Sequence, residues 1–109
     1  MPQATFVHEG ASIDYTPGAN IATGEVVVQG DLVGVAKLDI LAGRLEALAV
    51  EGVFDMAKEF GVAHPVGQTV YWDNSNDMVT DTATGNKLVG KVVRAASVSD
   101  LTVRVRLSQ

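Results

Sequence analysis

The chain has 109 residues and a net charge of −5, and its length fits one domain, because two cores of half that size would each be marginal. Cysteine is absent, which excludes a disulfide framework, a thiolate metal site and a cysteine nucleophile. The acidic charge argues against general nucleic-acid binding, and no apolar run approaches the roughly 18 residues of a membrane-spanning helix. No basic region followed by an apolar stretch opens the sequence, so we expect a protein made in a reducing cytoplasm.

Composition and glycine spacing both favour β-structure. Valine is far more abundant than the aromatic residues, which make up only 6% of the chain, and this excess favours strands over helices. Eleven glycines recur along the chain at short intervals and separate β-rich runs. The pattern predicts an all-β fold, a small single-domain β-barrel or β-sandwich with at most one short helix, over residues 1–109.

The final segment is the clearest predicted strand, because its residues alternate strictly in character. Val103, Val105 and Leu107 share one face, which we expect to be buried, and Arg104 and Arg106 share the other. In chain order the predicted strands are 12–16, 25–29, 31–37, 69–72, 78–80, 87–94 and 101–107.

The segment 44–60 allows two interpretations, helix or strand. Gly52 interrupts it beside Val53, and a glycine inside a helix costs about 1 kcal/mol. We therefore predict a strand to Val50, a bend or bulge at Gly52, and a continuing strand. A single short helix is predicted over 55–60, with Gly61 as its C-cap.

One stretch comes close to a phosphate-binding loop. Residues 85–92, GNKLVGKV, match the glycine and lysine positions of G-x-x-x-x-G-K-[ST], but Val92 stands where a hydroxyl must reach Mg²⁺. A strand rather than a helix is predicted after Lys91. The stretch is therefore interpreted as part of a hairpin.

An acidic segment raises the question of a cation site. Asp73, Asp77 and Asp81 lie close together in sequence, but Met78 and Thr84 occupy the positions at which an EF-hand needs glycine and glutamate. A solvated turn stabilised by an aspartate side chain is the favoured interpretation.

The two histidines are the remaining candidates for catalytic or metal-binding groups. His8 and His64 have no metal-ligand spacing, and both are expected on the surface or in loops. We therefore predict no catalytic residue, no metal and no cofactor, and hence no enzyme.

Four residues are candidates for protein–protein contacts: Phe6, Val7, Tyr71 and Trp72. Tyr71 and Trp72 are neighbours on a strand and must point to opposite faces, so one ring is expected in the core and the other in a subunit contact. Phe6 and Val7 lie in residues 1–8, which are predicted to form a mobile N-terminal arm.

Several runs together resemble a known family. AVEGVFD (49–55), VYWD (70–73), TATGN (82–86), TVRVRL (102–107) and the earlier GDLVGVAKLDILAG (30–43) are similar in order and spacing to the small capsid cement, or head decoration, proteins of tailed bacteriophages. The resemblance extends from Gly30 to Leu107.

This resemblance implies a structural virion protein without catalysis. It implies that the protein binds the outer surface of the capsid. The implied partners are the major capsid protein and other copies of the chain, which form a homotrimer, and they include neither nucleic acid nor membrane. Synthesis would take place in the cytoplasm of the bacterial host. Two alternatives stay open: a small cation- or ligand-binding β-barrel that uses Asp73, Asp77 and Asp81, and a tail or accessory structural module.

Overall fold

The computed structural model describes residues 3–109, and its regular secondary structure consists of β-strands. No helix within these residues is long and apolar enough to cross a membrane. The strands are β1 (Ser12–Tyr15), β2 (Val26–Gln29), β3 (Leu32–Val35), β4 (Glu46–Ala49), β5 (Gly52–Ala57), β6 (Thr69–Asp73), β7 (Met78–Thr80), β8 (Lys87–Arg94) and β9 (Thr102–Leu107).

The strands form two antiparallel sheets, so the prediction of an all-β domain is confirmed. The smaller sheet has the order β1-β4-β3-β2, and the larger sheet has the order β5-β9-β8-β6-β7. A parallel bridge between Lys58 and Val79 brings the two edges of the larger sheet near each other, but the barrel does not close. The fold is a sandwich.

The main core lies between the two sheets and consists largely of valine. In the smaller sheet, Val26 lies opposite Val35 and Val28 opposite Val33, which places all four on the face toward the larger sheet. The predicted burial of the last strand is confirmed, since its apolar face belongs to this core. The buried residues of the core are Val33, Val35, Met56, Val70, Trp72, Val79, Val89, Val92, Ala96, Val103, Val105 and Leu107.

A second, smaller core covers the other face of the smaller sheet. A bridge between Ile21 and Ile40 joins two connecting segments, which pack with Leu48 and Val27 in this cluster. Close approach requires glycine here, because a Cβ at Gly34 would lie 2.5 Å from Leu48 Cδ2. The smaller sheet is therefore packed on both faces.

The predicted helix over 55–60 is wrong. Strand β5 runs to Ala57 and pairs with β9, with Met56 opposite Val103 and Ala57 opposite Thr102, and Lys58 N–H extends the pairing by donating to Leu101 O at 3.0 Å. As a strand, this segment places the side chain of Met56 in the core, and that burial outweighs the weak local helix preference of DMAKEF.

The predicted bent strand through Gly52 is two strands of different sheets. The chain leaves the smaller sheet after Ala49 and enters the larger sheet at Gly52. Gly52 has a φ of +116°, a backbone conformation that residues other than glycine rarely adopt. The glycine therefore marks the change of sheet.

His64 lies in a loop, as predicted, but the expectation that it could be a surface residue is wrong. The side chain is only 1% exposed, because His64 and Ala96 exchange backbone hydrogen bonds of 3.0 and 2.9 Å that draw the loop onto the body. Its Nδ1–H donates to Gln68 Oε1 at 2.6 Å. The residue is part of the packing, while His8 is exposed as expected.

Candidate functional site

The acidic segment after β6 forms a turn. Asp73 Oδ1 accepts hydrogen bonds from the backbone N–H groups of Ser75 at 3.0 Å and Asn76 at 3.2 Å, and its Oδ2 accepts one from Asn76 Nδ2 at 2.7 Å. The Asn76 side chain contributes most to lowering the pKa of Asp73. In residues 3–109 no group of three His, Asp or Glu side chains is placed to hold a metal ion. The predicted aspartate-stabilised turn is confirmed.

Residues 85–92 are part of a hairpin, as predicted, because they include most of strand β8, which pairs antiparallel with the next strand, β9. Strand β8 begins at Lys87 and contains Lys91, so no helix N-terminus is formed to cradle a phosphate. The two lysines make protein contacts instead: Lys87 Nζ lies 2.7 Å from Asp31 Oδ1 across the sandwich, and Lys91 Nζ donates to Thr69 Oγ1 at 2.8 Å.

Tyr71 and Trp72 point to opposite faces of the larger sheet, as their adjacency requires. Trp72 is 5% exposed within the main core, and its Nε1–H donates to Asn74 Oδ1 at 3.2 Å. Tyr71 is half-buried on the outer face, opposite Leu88 and Thr80. Of the two rings, Tyr71 is on the face that a partner can approach directly.

The first residues of the chain expose two large apolar side chains. Phe6 is 77% exposed and Val7 is 83% exposed, and residues 4–10 lie outside all strands. Of the predicted arm, Met1 and Pro2 lie outside the described residues. The structure does not place Phe6 or Val7 in any buried cluster of the described chain.

The outer face of the larger sheet is rich in basic residues, of which only Arg104 and Arg106 were predicted to share a face. Half of the eight basic residues of the chain project from it: Lys91, Arg94, Arg104 and Arg106. Arg104 Nε donates to Asp55 Oδ1 at 2.9 Å, and this hydrogen bond is the main cause of the lowered pKa of Asp55.

One end of this face forms what we call the basic patch, made of Val66, Lys91, Val93 and Arg106. These residues line a surface depression of about 350 Å³. Lys91 lies directly opposite Arg106 in the β8–β9 register, and within residues 3–109 neither cation is in an ion pair. Like charges directly opposite each other destabilise an isolated sheet.

A larger depression of about 700 Å³ lies where β2 and β5, each an edge strand, border the gap between the sheets. Its floor is apolar and its rim carries the carboxylates of Glu25 and Asp77, both exposed. We call it the acidic groove. The side chains that form the floor include Val26, Val28, Phe54, Met56 and Trp72.

The comparison with protein families identifies the family of the chain that carries these surfaces. A family model described as phage cement protein matches residues 7–107. The chain belongs to the phage cement protein family. Its role is therefore structural and associated with the phage capsid, as the resemblance implied. The match also covers residues 7–29, which lie outside the range of the resemblance. Comparison with curated proteins and with solved structures gives no significant match.

Proposed function

We propose that this cement protein binds the outer surface of the phage capsid as a homotrimer and stabilises the shell without catalysing a reaction. The observation that carries the proposal is the family match over residues 7–107. The partner is the major capsid protein, and the protein is made in the cytoplasm of the bacterial host before it reaches the virion.

The charge and fold suit a protein that stays soluble until it meets a shell. A net charge of −5 limits nonspecific self-association of the free protein. The two sheets of the sandwich share one buried core, so the body can dock as a rigid unit. Many copies that each bind modestly stabilise a shell strongly through multivalency.

Residues 1–8 supply part of the capsid contact in this proposal. The exposure of Phe6 and Val7 leaves two apolar side chains available to enter a seam between capsid subunits. An arm that is mobile in the free protein can add a strand to a neighbouring sheet or insert Phe6 into such a seam. Ordering the arm has an entropic cost, so binding depends on three arms acting together.

The strand edges and Tyr71 support the proposed oligomer. The edges at β1, β2 and β5 expose backbone groups that a neighbouring copy can cover. Tyr71, half-buried on the outer face of the larger sheet, is the ring that we assign to a contact between proteins, while Trp72 supports that face from the core.

The test adds purified protein to expanded capsids that lack it. We expect cosedimentation with the shells and a higher melting temperature of the decorated shells. A matched variant, Phe6→Ser/Val7→Ser, should fold normally and bind more weakly. Shells that bind none of the wild-type protein, or that gain no stability from it, would contradict the proposal.

A further inference from the structure

Charge is distributed unevenly over this acidic protein. The strands of the larger sheet carry on their outer face four basic residues and only two acidic ones, Asp55 and Asp73. The rest of the chain therefore holds four basic and eleven acidic residues, a net charge of −7 against −5 for the whole. One face is basic while the remaining surface is strongly acidic.

Within the basic patch, the side chain of Val66 is exposed enough to insert into a neighbouring surface. Val66 is 65% exposed in the turn that follows Pro65, where Gln68 N–H donates to Pro65 O at 3.3 Å. This turn is fastened to β8, because Gly67 N–H donates to Val92 O at 2.8 Å. An exposed apolar side chain held in place by this turn therefore lies beside Lys91 and Arg106, neither of which is in an ion pair within residues 3–109.

The acidic groove offers the complementary features on the same chain. Its apolar floor can receive an apolar side chain, and its carboxylates at Glu25 and Asp77 stand at the rim. Neither carboxylate is in an ion pair within the described residues. The groove and the basic patch thus match in both apolar character and charge.

We propose that the basic patch of one copy docks into the acidic groove of the next copy, head to tail. Val66 enters the groove, and Lys91 and Arg106 pair with Glu25 and Asp77. The inference rests on the proposed homotrimer and specifies its contact. A head-to-tail contact uses two different surfaces of each copy and closes into a ring when the rotation between copies permits.

A second copy fits this contact because both complementary surfaces are found on this chain. Docking places acidic groups beside Lys91 and Arg106, which relieves their repulsion across the β8–β9 ladder. It also covers the edges of β2 and β5 that border the groove. Pairing between unlike charges further fixes the register of the contact.

Charge reversal tests the contact, with light scattering coupled to gel filtration as the readout. The variants Lys91→Glu/Arg106→Glu and Glu25→Lys/Asp77→Lys should each raise the concentration for half-association at least about tenfold. The variant with all four reversals keeps the net charge of −5 and should regain the wild-type association. Asp77 has a φ of +53°, a conformation that aspartate adopts more readily than lysine, so Glu25→Lys alone serves as a second variant. Circular dichroism checks that each variant is folded.

The matched control reverses two exposed basic residues that line neither surface, Lys37→Glu/Arg44→Glu. It changes the net charge as much as the basic-patch variant does and should leave association unchanged.

The possible outcomes distinguish a failure of the head-to-tail contact from a failure of the capsid role. Folded reversal variants that still form the wild-type oligomer would overturn the head-to-tail contact and leave the trimer standing. If those variants stay trimeric but no longer bind shells, the basic patch faces the capsid and the inference is equally wrong. A wild-type protein that is monomeric at every concentration would overturn both the contact and the trimer, whereas shell binding would remain a separate measurement.

Discussion

The side chain of Gln109 takes the place of a neighbouring strand for Val33. Gln109 Oε1 accepts a hydrogen bond from Val33 N–H, and Gln109 Nε2 donates one to Val33 O, both at 2.6 Å. Strand β3 pairs with β4 only at Val35 and Ala49, so the backbone of Val33 needs another partner on that side. Gln109, the second residue after β9, thereby ties the larger sheet to the smaller one.

Shortening this side chain should loosen the sandwich. Gln109→Ala leaves the N–H and C=O of fully buried Val33 without these partners, and we expect a loss of about 1–3 kcal/mol in the free energy of unfolding. Urea unfolding measures the loss. Gln109→Glu keeps the acceptor but not the donor and should also destabilise, while Ser108→Ala is the matched control. A Gln109→Ala variant as stable as wild type would show that these bonds contribute nothing.

The two faces of β9 should respond very differently to substitution. Val105→Asp places a carboxylate in the main core, where Val105 is fully buried, and should cost several kcal/mol. Arg104→Ala removes a solvent-exposed ion pair with Asp55 and should cost less than about 1 kcal/mol. Thermal and urea unfolding compare the two. Equal losses would mean that the outer face of this strand is packed in a way that the structure does not show.

The sequence was sufficient to predict most of the strands, because valine alternation and glycine spacing are local signals. Strand β8 was predicted with its observed bounds of 87–94, and the two faces of β9 were predicted correctly. The helix over 55–60 was wrong because tertiary pairing with β9 decided that segment. The burial of His64 depends on its pairing with Ala96, a contact between segments far apart in sequence.

The candidate surfaces could be predicted only in part, for a related reason. The exposure of Phe6 and the opposite directions of Tyr71 and Trp72 follow from local sequence. The basic patch does not, because it depends on the register that sets Lys91 opposite Arg106. The alternating arginines of β9 were a visible signal of a basic face, but nothing local indicates that Glu25 and Asp77 border one groove.

Acid should destabilise the protein through its aspartates. Hydrogen bonds from Lys87 to Asp31 and from Thr23 to Asp39 lower the pKa of each carboxyl below 3.8, and the hydrogen bond from Arg104 does the same for Asp55. Because these pKa values are lower in the folded than in the unfolded chain, their stabilisation is present above pH 3.8. It is lost as the pH falls through the folded values.

Urea unfolding at pH 7, 5, 4 and 3 should therefore show a stability that is nearly level at first and declines as the pH approaches and passes below 3.8. Asp39→Asn, which retains an oxygen acceptor for Thr23, should reduce the steepness of this decline. A stability that rises on acidification across this range would have the wrong sign for the contacts of these aspartates.

Removing the arm should separate capsid binding from folding. Deletion of residues 1–8 removes Phe6 and Val7, which belong to neither core cluster, so the melting temperature and oligomeric state should hardly change. Binding to undecorated capsids should fall by roughly 10²- to 10⁴-fold if the protein is the proposed trimer, in which three arms act together. Cosedimentation with shells measures the loss. A truncated protein that fails to fold, or one that binds shells at full strength, would rule out the arm as a docking element.

Cryo-electron microscopy of the parent virion tests the capsid role most directly. The family match over residues 7–107 and the proposed trimer lead us to expect density for this sandwich on the outside of the shell at local three-fold positions. The first residues of each copy should be ordered against the major capsid protein. Density for this protein in the tail or inside the shell, or an outer surface without it, would contradict the account.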